Sequence, residues 1–562
     1  MADFYISRAL CPSGDCVTAR WQPLRRPAFK SSPLSRCGKT FMMRCFLLPC
    51  ATFLLWGHGA QAQSTSATSV DEAKPATVQA SIARVERGLS TPVVVKGARA
   101  QKMSLTERMA FYQVPAVSIA VINNGRIEWA RAYGEADIAS HRRATVRTLF
   151  QAGSISKSLT AIGALRLVEQ GKLALDGDAN RQLTSWKIPQ NDYTRSKAVT
   201  LRMLLNHSAG MTVHGYSGYA QGQAVPSLLQ VLDGVAPANS DPVRVDLAPG
   251  STWRYSGGGY EIVQLMVSEA SAQPFDRYMK TAVLDRMGMD QSSFAPLPAA
   301  QHSLTATAYY GDGKAVGGEW HIYPESAAAG LWSTPTDLAR AVLEVQQAEA
   351  GKSDKILSQN MASSMLMRGL GQYGLGFFVD KVADRTSFGH SGGTVGFRSQ
   401  LYGYTRSGQG VVIMTNSDNG AALIDEILGS IAAEYGWPEF KVIEKTAIPG
   451  DAAANGQVAG DYQLLDKPAH IVAEGDRLFF QSDLFGARRM ELFPESKSAF
   501  FMTAQDMTIL FEQGDDGAVV GFSLLRGGIA TRPKRPAKGR RTQSAICRLL
   551  PTGRSCQQPR RP

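Results

Sequence analysis

A chain of 562 residues is longer than one average domain, so two or more are expected. Its 44 % hydrophobic and 19 % charged residues exclude both a disordered chain and one built mainly of membrane spans. The net charge of +12 suggests nucleic acid, but residues 1–62 carry +6 and residues 531–562 carry +10, which leaves −4 between them and excludes a basic nucleic-acid-binding body.

The seven cysteines follow the same division. Cys11, Cys16, Cys37, Cys45, Cys50, Cys547 and Cys556 all lie in the flanks. The body therefore offers no disulfide framework, thiol nucleophile or cysteine metal site. Met42-Met43-Arg44 opens a charged start, an apolar run follows as far as Trp56, and Ala60-Gln61-Ala62 supplies a small-x-small cleavage signal. That is the layout of a secretory signal peptide over 42–62, so a secreted or periplasmic protein is expected. The apolar run is too short to span a bilayer well, and no later run is long enough, so no stable transmembrane anchor is expected. A signal of this kind begins a chain, so residues 1–41 read as a mis-called extension. Residues 63–76 form a polar linker.

A helix is expected from Val78 to Leu89. Residues 115–122 and 126–133 flank Asn123-Asn124-Gly125 and predict a β-hairpin, because Asn-Gly favours the tight turn. Ile155, Leu159, Ile162 and Leu165 then recur at helical spacing up to Gly171. Residues 175–350 alternate helices with Gly/Pro-rich loops. Strands return at Phe397–Tyr404 and Gly410–Thr415, and an amphipathic helix over 421–435 stops at Gly436-Trp437-Pro438. Hairpins at both ends of a stretch with helices between them predict an α+β domain over 77–440. Short alternating runs with turn signals predict a small all-β, barrel-like domain over 451–530. The Pro- and Arg-rich stretch 531–562 predicts a basic disordered tail.

Three short segments carry chemistry. In Ser154-Ile155-Ser156-Lys157, residues three apart share a helix face, so Lys157 is expected one turn from Ser154. A serine hydroxyl needs such a base to become a nucleophile, and a helix N-terminus favours developing negative charge. Alone, the pattern is more often an N-cap serine and a surface lysine. Tyr255 precedes Ser256-Gly257-Gly258-Gly259, where a phenol beside a lysine can pass protons. His390-Ser391-Gly392-Gly393 precedes the late hairpin, and small residues on a strand let a substrate lie along the backbone.

In this order the three resemble the β-lactamase-related serine hydrolases: class C β-lactamases, D-alanyl-D-alanine carboxypeptidases, D-aminopeptidases and esterases. The resemblance covers about residues 80–437, including Leu204–Met211, Ala329–Leu338 and Tyr373–Gly376. The all-β piece is similar to the lipocalin-like domain often appended to these enzymes. The resemblance implies a β-lactamase/transpeptidase-like fold and a catalytic set of Ser154, Lys157 and Tyr255. It also implies an oxyanion hole from the backbone N–H groups of Ser154 and Gly393, and substrate binding by His390, Ser391 and Gly392. There His390, standing where many relatives place a lysine, would orient the substrate carboxylate or Tyr255.

No metal or organic cofactor is expected. Gly257 stands where many members carry the Asn that binds an acylamino group, which argues against an efficient β-lactamase. The expected function is an exported serine hydrolase acting through a Ser154 acyl-enzyme on small amides or esters, D-amino-acid peptides or esters above all. Its partners are small-molecule or short-peptide substrates, cell-wall fragments among them. The alternatives are a true β-lactamase or D-Ala-D-Ala carboxypeptidase, and a catalytically silent penicillin-binding receptor or scaffold. His207 reads as a loop residue and Glu325 as a structural carboxylate that can reach the site.

Overall fold

The computed structural model describes residues 75–531, apart from 99–100, 298, 383, 465–466, 483–488, 515–516 and 527–528. The extension expected at 1–41, the signal peptide at 42–62, nearly all of the linker and the basic tail lie outside the described residues.

Helices α1 (Pro75–Arg87) and α2 (Leu105–Tyr112) open the fold. Strands β1 (Ala116–Asn123) and β2 (Arg126–Asp137) form the expected hairpin. Asn124 and Gly125 both take positive φ, 52° and 69°, the geometry of the tight turn that matches strand twist. After the short β3 (Arg142–Arg143) come α3 (Ile155–Glu169), α4 (Gly257–Ser271) and α5 (Pro335–Glu349). The sheet is completed by β4 (Phe378–Val382), β5 (Arg385–Thr394), β6 (Phe397–Tyr404) and β7 (Gly410–Thr415), and α6 (Gly420–Tyr435) follows.

The seven strands run in the order β3-β2-β1-β7-β6-β5-β4, all antiparallel. The two ends of the domain thus meet at its centre, where Gly410 pairs with Ile122 and Thr415 with Val117. Both faces of this sheet are covered. In β1, Ala116, Ala120 and Ile122 enter the core shared with α3, α4 and α5. Val117, Ile119 and Val121 enter the core shared with α1, α2 and α6. Period-2 alternation with apolar residues on both sides is what a doubly covered central strand requires.

Helix α3 lies in the interior: Ile155, Leu159, Ile162 and Leu165 are all fully buried. Its polar Ser156, Ser158 and Thr160 are buried too and bond to backbone: Ser156 Oγ accepts from the Leu331 N–H at 3.0 Å, and Ser158 Oγ donates to Gly376 O at 2.6 Å. A helix buried on every side is one that a β-lactamase/transpeptidase-like fold can present to a site without exposing apolar surface.

From Gly460 to Thr531, eight antiparallel strands follow one another, each paired with its sequence neighbour. One core fills their concave side. The Tyr462 ring of the first strand touches Phe511 and Phe522 of later strands, with centroids 6.3 and 5.0 Å apart, so the sheet curls into a barrel-like unit. The Lys445 Nζ donates to the Thr508 hydroxyl at 2.9 Å and ties this unit to the connecting segment.

Candidate active site

Ser154 stands at the N-terminus of α3, and its side chain makes no capping bond to its own helix. Its hydroxyl instead accepts from the Lys157 Nζ at 3.1 Å. Lys157 is 2 % exposed and also donates to the Ala328 carbonyl at 2.9 Å. Its ammonium lies 4.8 Å from the centre of the Tyr255 ring. Helical spacing alone explains the first contact. The other two come from the residue before the α4 cap and from the 326–329 turn, which only the folded chain brings near. A cation held this deeply needs polar or aromatic partners on all sides.

Tyr255 is placed by the start of α4. Ser256 caps that helix by accepting from the Gly259 N–H at 3.0 Å, and its own hydroxyl donates to Thr212 O at 2.6 Å. A Cβ at Gly258 would sit 2.9 Å from Val243 Cγ2, and one at Gly257 would sit 3.0 Å from Tyr216 Cε2. The glycines therefore let the 211–216 loop press onto the helix. The Tyr216 ring occupies the space into which a side chain at 257 would grow.

Three histidines surround the tyrosine: His207, His390 and His214, whose ring lies 5.3 Å from that of Tyr255. The His207 Nδ1 accepts from the Ser256 N–H at 3.1 Å, which puts its proton on Nε2. Its ring lies 4.2 Å from that of Tyr255 and 4.7 Å from that of Tyr373. The His390 Nδ1 faces Ser391 O at 2.6 Å, and a carbonyl only accepts, so Nδ1 carries the proton. Nε2 then accepts from the Tyr373 hydroxyl at 2.9 Å. Burial, with the nearby Lys157 charge second, pushes His390 down to about 3, and burial also lowers His207 well below its usual range. Both rings are neutral at pH 7. His390 thus commits both nitrogens inside the protein and carries no charge with which to grip a substrate carboxylate. Its ring lies 6.1 Å from that of Tyr255.

His390, Ser391, Gly392 and Gly393 lie on β5, where small residues on a strand were expected, and β4 extends the sheet one strand further. The β5 register fixes where the backbone points. Thr394 pairs with Phe397 across a two-residue turn, so that pair exchanges hydrogen bonds. The next pair, Gly393 with Arg398, is then the non-bonded kind, and the Gly393 N–H faces away from β6. It faces the loop that leads into α3. A Cβ at Gly153 would lie 2.5 Å from the Gly393 nitrogen, and one at Gly392 would lie 1.9 Å from Ala152 O. The Ser399 hydroxyl holds the same Ala152 carbonyl at 2.9 Å.

Sequence reading missed four contributors. Tyr373 holds His390, the Ala328 carbonyl holds Lys157, Tyr216 fills the space beside Gly257, and Glu261 lies buried behind them. Tyr373 was within reach, since Tyr373–Gly376 belongs to the resemblance. A backbone carbonyl leaves no sequence signal. Glu325, read as a structural carboxylate, is fully buried facing the Tyr219 hydroxyl and its own backbone N–H, with no hydrogen bond of regular geometry to either carboxyl oxygen. Among the described residues no group of three or more His, Cys, Asp or Glu side chains converges as a metal site. No described helix is long and apolar enough to cross a membrane.

A buried serine beside a buried lysine, with a tyrosine over the lysine and backbone N–H groups near the serine, can perform acyl transfer. Comparisons with known proteins agree with that chemistry. A family model described as Beta-lactamase matches residues 104–433. A penicillin-binding protein of Bacillus subtilis (strain 168) is 23 % identical over 433 residues, covering 73 % of this chain and 93 % of its own. Esterase EstB of Burkholderia gladioli is 31 % identical over 190 residues, 32 % of this chain and 47 % of the esterase. Among solved structures, the octameric penicillin-binding protein homologue from Pyrococcus abyssi shares the fold with a TM-score of 0.54 at 21 % identity, over 76 % of this chain and 98 % of that one.

Proposed function

Since the chain belongs to the Beta-lactamase family, whose members of this type are serine hydrolases, we propose that it hydrolyses small amides or esters through an acyl-enzyme on Ser154. The observation that carries this reading is the 3.1 Å contact of Lys157 Nζ with Ser154 Oγ inside a water-poor site. Tyr255, as a phenolate beside the Lys157 ammonium, takes the hydroxyl proton as Ser154 Oγ attacks the substrate carbonyl. The Ser154 and Gly393 N–H groups stabilise the oxyanion. Tyr255 returns the proton to the leaving amine or alcohol, the carbonyl–heteroatom bond breaks, and water then hydrolyses the acyl ester by the reverse proton path. Ser391 and Gly392 line the strand along which the substrate lies. Neutral His390 holds the Tyr255 side of the site rather than a substrate charge.

The preferred substrates are D-amino-acid peptides, amides or esters. Gly257 supports this over β-lactams, because its missing side chain, with Tyr216 in that space, leaves no carboxamide to receive an acylamino group. The likeness to an esterase supports ester turnover. The region over 42–62 supports export to the periplasm.

The test uses a p-nitrophenyl ester, D-alanine p-nitroanilide, penicillin and a chromogenic cephalosporin, with mass spectrometry on Ser154. The expected result is a burst of p-nitrophenol and an acyl adduct on Ser154, both absent in Ser154→Ala, with slow cephalosporin turnover. Failure of Ser154 to take any adduct sinks the proposal. A penicillin adduct with no turnover of any substrate marks a silent receptor, and rapid cephalosporin clearance marks a β-lactamase.

A further inference from the structure

The turn Ser326–Ala329 supplies the carbonyl that anchors Lys157, yet its own leading residue does not cap it. Glu325 stands at the N-cap position and its side chain makes no capping bond. Two N–H groups of this turn are taken by another helix. Gln264 Oε1 accepts from the Ala327 N–H at 2.7 Å, and Glu261 Oε1 accepts from the Ala328 N–H at 3.1 Å. Glu261 and Gln264 are three residues apart and share one face of α4. The same helix begins immediately after Tyr255. One element thus places the tyrosine over Lys157 and, less than two turns later, fixes the peptide that holds Lys157.

We infer that Glu261 is a positioning residue for the acylation machinery: by capping the Ser326–Ala329 turn from α4, it holds the Ala328 carbonyl where it keeps Lys157 Nζ on Ser154. This rests on the hydrolase reading above. Glu261 is fully buried, and its second oxygen makes no hydrogen bond. The charged and titratable groups around it are Lys157 on α3, Glu325 on the turn and Tyr216 on the 211–216 loop. Burial first, and Glu325 second, push its carboxyl well above the usual carboxylate range, which favours the neutral form. A neutral carboxylic acid and a carboxamide have nearly the same shape. Glutamine therefore replaces it, and alanine does not.

The experiment compares wild type, Glu261→Ala and Glu261→Gln by the p-nitrophenyl acetate burst, the pH profile of kcat/KM, thermal melting and crystallography. Loss of a buried hydrogen bond at this point predicts a burst rate constant about 10- to 100-fold lower in Glu261→Ala with KM little changed. Glu261→Gln restores most of the rate and keeps the wild-type pH profile. Glu261→Ala acylating at the wild-type rate, or Glu261→Gln as slow as Glu261→Ala, overturns the inference. If Glu261→Ala fails to fold, Glu261→Gln decides against wild type alone: a burst rate constant more than about 10-fold lower overturns the inference. A wild type without any Ser154 adduct refutes the hydrolase reading instead. In that case the crystal structures decide: Lys157 Nζ leaves the Ala328 carbonyl in Glu261→Ala if Glu261 positions it, and stays if not.

Discussion

A buried ammonium is costly, and Lys157 is tolerated because a hydroxyl, a carbonyl and an aromatic face share its charge. Replacing it with alanine removes the cation beside Tyr255 and is expected to lower the Ser154 burst rate constant by about 10²- to 10⁴-fold, the usual weight of a positioned proton-transfer group, as stopped-flow p-nitrophenol release reads directly. Glu325 is the opposite case, a buried carboxyl with no hydrogen bond of regular geometry. Burial raises it from an ordinary 4.5 to about 7, so the fold binds its proton more tightly than the unfolded chain does. The stability this gives is complete below pH 4.5 and is lost as pH rises through about 7. Glu325→Gln keeps the neutral form at every pH. Its melting temperature relative to wild type should therefore climb between pH 5 and pH 8, and calorimetry at equal gaps across that range reveals a flat difference if the carboxyl is in fact paired. Ser154 and Lys157 were legible in the sequence because helical geometry is local. The state of His390 was not, because it is set by Tyr373, 17 positions away.

Elements set the close approaches that the site needs. Strand β5 and the loop before α3 touch backbone to backbone, and glycine is what permits it: any Cβ at 392 meets Ala152 O at 1.9 Å. Gly392→Ala must push the strand off the loop and carry the Gly393 N–H away from Ser154. We expect kcat/KM to fall at least about 100-fold, the weight of one oxyanion donor, while circular dichroism still reports a folded protein. Activity within tenfold of wild type places the oxyanion donor elsewhere. The hairpin β1–β2 and the strands β6 and β7 were readable from Asn124-Gly125 and from apolar alternation. Strand β4 was not, and the bounds of β5 were not, because β5 is rich in glycine, which has no side chain to signal a strand and pairs only because neighbours demand it.

At the scale of the molecule, residues near both ends of the hydrolase region close around one sheet. The closure is locked by Arg108 of α2, whose guanidinium grips both carboxylate oxygens of Glu426 on α6 at 2.7 and 2.6 Å, with the Tyr112 hydroxyl on the same carboxylate. Breaking a buried pair strands its partner, so Arg108→Ala should cost about 3–5 kcal/mol in urea unfolding, far more than any surface pair. A loss below about 1 kcal/mol would show that solvent reaches the Glu426 carboxylate. By itself the sequence determined the serine–lysine pair, the tyrosine motif, the strand and helix types with strong periodicity, and the change to an all-β pattern after residue 450. Each depends on residues within a few positions of one another. Only the tertiary structure decided what surrounds Lys157, which way the Gly393 N–H faces, and that Tyr216 fills the space at Gly257. Those depend on contacts between residues tens to hundreds of positions apart, fixed by packing and by backbone groups that every residue shares.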